Sequence, residues 1–319
     1  MTARRVLRPT ARPTAWRAVA LLGAAAAALA AACGRFGNQD SKADRATRIV
    51  STSKQHTEIL FALGADSNLV AVDVSSVYPP AARRLPTVGY HRALSLEGIL
   101  SARPTLILTG GPGNMGPEPV VRQLEALQIP MKDFAAKGTD VASTKALFRE
   151  MGAYFHRERQ ADSLSATLDA DLARALAAAR QEPDTPRVVV IHYGRAMNVY
   201  LTILGRSVAG RMVGWAGGRM ALDDSGGMRQ LTSPEVIAKA DPDVILLTDF
   251  GYDRLAGRQE VLALPGVAAT KAARTGRIFR VEENDLVYLG PRTGKNVDRL
   301  RVLIHQPGPA DPARVASHP

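Results

Sequence analysis

The sequence predicts an α/β protein made of two Rossmann-like lobes, each on a central parallel sheet, joined by one long α-helix. Three observations carry this. Short apolar runs alternate with amphipathic ones over residues 48–133 and again over 187–306, the alternation of parallel sheets flanked by helices. Between those stretches, residues 140–180 hold no proline and a single glycine, Gly152, and are rich in Ala, Leu, Arg and Glu, all strong helix formers. Finally, the motif Gly-x-x-Arg-x-Leu-Ser/Thr occurs twice, as GYHRALS at 89–95 and GGMRQLT at 226–232, at the same point of each half.

In chain order, residues 1–32 carry five arginines and no acid, then the apolar run AVALLGAAAAALAAA. That run is too short and too Ala-rich to span a membrane and reads as a signal peptide. Cys33, the only cysteine, ends it. A lone Cys after small residues resembles a bacterial lipobox, which makes Cys33 a candidate lipid attachment point. Ala30 and Leu29 depart from that pattern, the leucine standing one step early. Without a second Cys the mature chain has no intramolecular disulfide. Residues 33–47 form a polar tether. The first lobe, 48–158, reads as strand RIVST (48–52), helix KQHTEILFALGA (54–65) closed by Gly64, and strand NLVAVDV (68–74). A Pro-rich loop follows, then a helix from Leu96, strand TLILTGG (105–111), helix EPVVRQLEALQ, strand PMKDF and a closing helix. The linker helix, 159–183, has about 22 helical residues, a span of roughly 33 Å. The second lobe, 184–306, carries strands RVVVIHYG (187–194), VILLTDFG (244–251) and RIFRV (277–281), then helix GKNVDRLRVLIHQ. Residues 307–319 are a loose tail.

The 319 residues are 22% charged and 46% hydrophobic, which suits two domains with a sizeable core. The formal net charge is +11; taking away the five leader arginines leaves +6. No basic run is interleaved with aromatics, so nucleic acid is not the expected partner.

In parallel sheets, ligands sit beyond the carboxyl ends of the strands. Two facing lobes therefore make one cleft, with the repeated motifs as its walls and Arg92 and Arg229 offered to it. Ser95 and Ser233 are predicted N-caps, with Leu96 and Pro234 at the first helical position and Glu97 and Glu235 next. A glutamate there complements its helix dipole.

The stretch VGYHRALSLEGILSARPTLIL, with SVYPPAA, GWAGGRMAL and YLGPRTG, resembles the periplasmic haem-binding proteins of the HmuT type. These fall within the helix-linked substrate-binding proteins of ABC importers for haem, cobalamin and iron-siderophores. The resemblance covers residues 48–305 and implies the helix-linked periplasmic binding protein fold and no enzymatic activity. It implies haem as transported ligand, Tyr90 as the ligand to ferric iron, and Arg92 beside it favouring the phenolate. Arg229 lies on the opposite wall, where either arginine can pair with propionates. Gly227 replaces the tyrosine in the second copy, consistent with a five-coordinate iron. Glu97 and Glu235 would dock on the importer's permease dimer. The protein would be a periplasmic monomer, touching the membrane only through a lipid on Cys33. His91, His192, Tyr193 and Tyr288 are further candidate haem contacts. A cobalamin or siderophore carrier remains the alternative, with Tyr90 as a stacking ring.

One signal points elsewhere. GPGNMG at 111–116 matches a dinucleotide-binding fingerprint and would make the chain an enzyme. Pro112, Pro117 and Pro119 crowd it, and a helix starting near Pro117 begins after the third glycine, whereas the fingerprint needs that glycine inside the helix. The six histidines are scattered, which argues against a carrier of bare metal ions. GRSVAG has the wrong spacing for a nucleophile elbow.

Overall fold

In the computed structural model the chain is described over residues 47–110, 116–194, 197–222, 227–230 and 233–308. The expected signal peptide, Cys33, the expected tether before Thr47 and nearly all of the GPGNMG loop lie outside the described residues.

The first sheet is wholly parallel. It contains β1 (Ile49–Ser51), β2 (Leu69–Val72), β5 (Leu106–Leu108) and β6 (Met131–Lys132), in the order β2-β1-β5-β6. Between β2 and β5 stands a separate hairpin, β3 (Gly89–Tyr90) and β4 (Ala93–Leu94). Side chains of a strand alternate between its faces. Ile49 and Leu108 enter one core with Leu60, Phe148 and Met151. Val50 and Ile107 enter another with Ile99 and Leu124. The helices are α1 (Lys54–Leu63), α2 (Leu96–Ser101), α3 (Glu118–Ala126) and α4 (Val141–Tyr154). The Ser53 hydroxyl caps α1 by accepting from the His56 amide, and Gly64 ends it at φ 64°, where the sequence predicted a stop.

The second sheet holds β7 (Arg187–Gly194), β8 (Val199–Ile203), β9 (Arg219–Met220), β10 (Met228–Gln230), β11 (Val244–Thr248) and β12 (Ile278–Val281). Its order is β10-β8-β7-β11-β12, with β9 beside β7. This sheet is mixed. β8 runs antiparallel to β7, and β10 antiparallel to β8, so the expectation of two parallel sheets holds here only for β7, β9, β11 and β12. The reversal follows from the tight β7–β8 connection, where Asn198 takes a left-handed conformation at φ 56°. Alternation again feeds two cores, Val188, Val190 and Leu246 on one face and Val189, Ile191 and Ile245 on the other. Lys132 on β6, Arg229 on β10 and Arg280 on β12 each lie on an outer strand.

Helix α5 (Glu158–Ala179) runs between the sheets with 22 residues. Its first half gives Ala161 and Leu168 to the first-lobe core, and its second half gives Leu172 and Ala175 to the second-lobe core. Burying each leucine is worth about 1.5–3 kcal/mol, so the helix is anchored at both ends. Seven helices follow, α6 (Val208–Trp215), α7 (Pro234–Ala240), α8 (Asp249–Tyr252), α9 (Arg258–Leu262), α10 (Lys271–Thr275), α11 (Glu283–Leu286) and α12 (Thr293–His305). Helix α12 packs on α5, with Val297, Leu300 and Ile304 in the same core as Leu172. The approach is so close that a Cβ on Gly294 would lie 2.4 Å from the backbone nitrogen of Leu172. Only glycine fits there.

His56 on α1 is buried edge-on against Phe134, ring centroids 5.4 Å apart, and its Nδ1 has no hydrogen-bond partner. Burial lowers its pKa from 6.5 to about 4, helped by Lys137 and opposed by Asp133. The fold thus favours neutral imidazole. Its contribution is complete above pH 6.5 and is lost as pH falls from 6.5 towards 4, a change of about 3 kcal/mol. Denaturant titrations over that range should show this loss, and His56→Leu should flatten it; an equally steep profile in the variant would assign the acid sensitivity to other groups.

Candidate functional site

The Tyr90 hairpin grows from the carboxyl end of β2. Val72 bridges Thr87, the Val88 amide donates to Val72 O at 2.9 Å, and the Val74 amide donates to Gly89 O at 2.9 Å. His91 and Arg92 form the turn. Gly89 sits at φ 96°, and a Cβ there would lie 2.8 Å from Ala93 O, which is why glycine precedes the tyrosine. Tyr90 is half-buried and Arg92 exposed. The His91 ring lies 4.2 Å from the Tyr90 ring. On its other side, His91 Nδ1 is 3.6 Å from Oδ2 of Asp73, whose carboxylate is fully buried. That carboxylate accepts from the Ser75 amide at 3.1 Å and from the hydroxyls of Ser75 and Ser76.

In the second lobe, His192 and Tyr193 close the carboxyl end of β7 as expected. His192 is buried, its Nδ1 3.3 Å from the Thr248 hydroxyl and 3.7 Å from Glu283 Oε2. Tyr193 donates its hydroxyl to Asn198. Its ring meets Tyr200 edge-on at 5.0 Å and lies beneath the Arg254 guanidinium at 4.7 Å. Arg254, unremarked in the sequence, therefore rides on an aromatic platform at this end of the sheet. Arg229 differs from its counterpart Arg92. It lies exposed within β10, backbone-paired with Thr202, because the free edge of β8 draws this copy of the motif into a strand where the first copy makes a hairpin. The register sets Gln230 level with His192 and Arg229 one step behind. Gly226, Leu231 and Thr232 of that copy lie outside the described residues.

The lobes meet through a polar junction. Glu58 on α1 receives Arg292 bidentately, Nε and Nη2 each at 2.9 Å, and Tyr288 donates to it at 2.5 Å. Arg292 also pairs with Asp285 and lies 3.5 Å from the Tyr78 ring centroid. Lys54 pairs with Glu283, Gln55 donates to Leu289 O at 2.7 Å, and Asn284 donates to Ser75 O at 3.0 Å. Burial and then the Glu58 carboxylate push the Tyr288 phenol well above its ordinary value. Burial works against the charge on Arg292, and Glu58 more than restores it. Tyr288, expected as a haem contact, has its hydroxyl committed to Glu58 at this junction.

A family model described as periplasmic binding protein matches residues 49–284, most of the chain. The chain belongs to the periplasmic binding protein family. Among solved structures, the periplasmic haem-binding protein RhuT from Roseiflexus sp. RS-1, in apo form, is 33% identical, with 81% of this chain and 98% of that one covered and a TM-score of 0.73. The vitamin B12-binding protein of Pectobacterium carotovorum is 26% identical over 200 residues, 63% of this chain and 70% of its own. An uncharacterised ABC transporter substrate-binding lipoprotein of Bacillus subtilis, YvrC, is 24% identical, covering 91% of this chain and 96% of its own. This chain is accordingly a periplasmic substrate-binding protein of the haem, cobalamin and siderophore class that serves ABC importers, and not an enzyme.

In this binding protein the predicted caps are in place. The Ser95 hydroxyl accepts from the Gly98 amide at 3.0 Å, and the Ser233 hydroxyl from the Glu235 amide at 3.4 Å, with Glu97 and Glu235 both exposed. The junction makes a sharper statement about stability. Arg292→Ala would leave the buried Glu58 carboxylate without its counter-ion, and removing one partner of a buried pair costs about 3–5 kcal/mol. Urea denaturation should register that loss, with Glu58→Gln/Arg292→Met recovering part of it. A loss under about 1 kcal/mol, the size of a surface pair, would mean that the junction does not hold the lobes.

Proposed function

We propose that this protein captures ferric haem in the cleft between its lobes, with Tyr90 as the iron ligand, and delivers it to an inner-membrane ABC importer. The observation that carries this is the Gly89–Leu94 hairpin, which needs its glycine and presents a half-buried tyrosine just before the turn. The haem-binding relative also matches more of the chain, at higher identity, than the vitamin B12-binding one. Phenolate is a hard oxygen donor suited to ferric iron. Arg92, two residues on, favours the anion. Arg229 and Arg254 supply cations for the propionates. Among the described residues no three His, Cys, Asp or Glu side chains gather as a bare-ion site would require. Cys33, after the small residues that end the leader, takes the lipid that tethers the protein to the membrane. The second reading, favoured by the vitamin B12-binding relative, is cobalamin with Tyr90 stacked on the corrin.

Purified protein mixed with haemin should give a high-spin ferric spectrum with a phenolate-to-iron charge-transfer band, and Tyr90→Ala should lose most of it. Cyanocobalamin binding by both proteins with no haemin band in either would favour the second reading. A band of full strength in Tyr90→Ala would remove Tyr90 as the ligand.

Glu97 and Glu235, exposed at two helix starts, are the carboxylates by which the loaded protein engages the permease. Glu97→Arg with Glu235→Arg should leave the haem spectrum intact and abolish stimulation of the permease ATPase in nanodiscs, since like charges across an interface cost several kcal/mol. Normal stimulation by the double variant would send docking to other residues.

A further inference from the structure

The segment Asp73–Tyr78, between β2 and the Tyr90 hairpin, is held from both sides. On the hairpin side, the Val74 amide donates to Gly89 O at 2.9 Å, and the buried Asp73 carboxylate faces His91 Nδ1 at 3.6 Å. From the second lobe, Asn284 donates to Ser75 O at 3.0 Å in a buried contact, and the Arg292 guanidinium lies on the Tyr78 ring at 3.5 Å. Ser75 joins the two sides, because its own amide and hydroxyl donate to Asp73. A chain of contacts thus runs Asn284, Ser75, Asp73, His91, Tyr90, the last two being consecutive residues whose rings touch. None of these contacts is needed to form either sheet, whose ladders lie elsewhere. A carboxylate buried this completely must have its partners arranged around it, or its desolvation is not offset, so the segment has one arrangement in which Asp73 is satisfied.

We propose that Asp73 and Asn284 are positioning residues for the ligand-bearing hairpin: the second lobe, through Asn284 and Ser75, fixes the Asp73 carboxylate, which fixes the His91 ring and with it the pose of Tyr90. The cleft wall that carries the iron ligand is then set by the opposite lobe, and cargo retention depends on a side chain that need not touch the cargo. This rests on Tyr90 being the ligand.

The test uses full-length protein loaded with haemin, with the charge-transfer band, the rate of haem loss to an apo-globin acceptor and the melting temperature measured together. Asn284→Ala should speed haem loss about five- to tenfold, the size expected for one buried hydrogen bond, and should shift the band. Asp73→Asn should do the same, and Asn284→Gln, which keeps a donor amide, should restore part of the rate. His91→Ala combined with Asn284→Ala should lose haem no faster than His91→Ala alone, because residues acting through one another are not additive. Additive effects overturn the inference, as does a lowered melting temperature with band and rate unchanged. If Asp73→Asn fails to fold, the Asn284 and His91 pair decides alone. A wild-type spectrum with no charge-transfer band overturns the Tyr90 reading and this inference together, whereas a normal band indifferent to Asn284→Ala overturns this inference only.

Discussion

The bidentate pair between Arg292 and Glu58 is the interaction on which the meeting of the two lobes depends. Taking both ions out of water costs several kcal/mol each, and the attraction between them recovers that only when the geometry is good and the remaining lone pairs are satisfied. Both conditions are met. The guanidinium reaches both carboxylate oxygens at 2.9 Å, and the Tyr288 hydroxyl fills a further acceptor position. The arrangement exists only while α1 and the segment before α12 are in contact, so it behaves as a latch. Helix α5, with leucines in both cores, and α12, seated on it at Gly294, supply the frame in which the latch can close.

A latched pair of lobes favours selection by preformed shape and by chemistry at the wall over wide closure around the cargo. Binding to a preorganised site avoids the cost of ordering it. The two walls are not copies of one another. One is a hairpin with a tyrosine at the end of its first strand and a histidine and an arginine in its turn. The other is the end of a mixed sheet, with an arginine laid over aromatic rings and a histidine sunk beside a carboxylate. An asymmetric cleft suits a ligand held from one side and covered from the other.

Much of this was legible in the sequence, for reasons that particular residues show. The linker helix stood out because the stretch has no proline, a single glycine before it and many Ala, Leu, Arg and Glu, and β7 because its run of Val and Ile is bounded on both sides. Ser95 and Ser233 announced their caps through a hydroxyl that acts within three residues, and Gly64 through its freedom to take a left-handed conformation. What was not legible depends on contacts distant in sequence. Strands β8 and β10 are short and antiparallel, and their identity comes from the neighbours they find. The burial of Glu58 could not be read from its own helix, since nothing within the helix shows that Arg292, 234 positions later, will cover it. The hydrogen bond of Tyr288 to Glu58 was hidden for the same reason. The repeated motif was read correctly at its helix starts and too symmetrically at its arginines, because the same residues turn in one place and extend in the other.

The cations on the outer strands have a meaning of their own. A sheet's last strand offers a row of unpaired amides and carbonyls to any other chain. Here β6 and β10 are only two and three residues long, and Lys132 and Arg229 put cationic side chains on them. On β12, Arg280 is gathered into an ion cluster with Asp253 and Glu282, and β2 is shielded where Val72 bridges to Thr87. Short strands that carry charged side chains are poor templates for a further strand. The sheets thereby carry their own resistance to strand-to-strand aggregation.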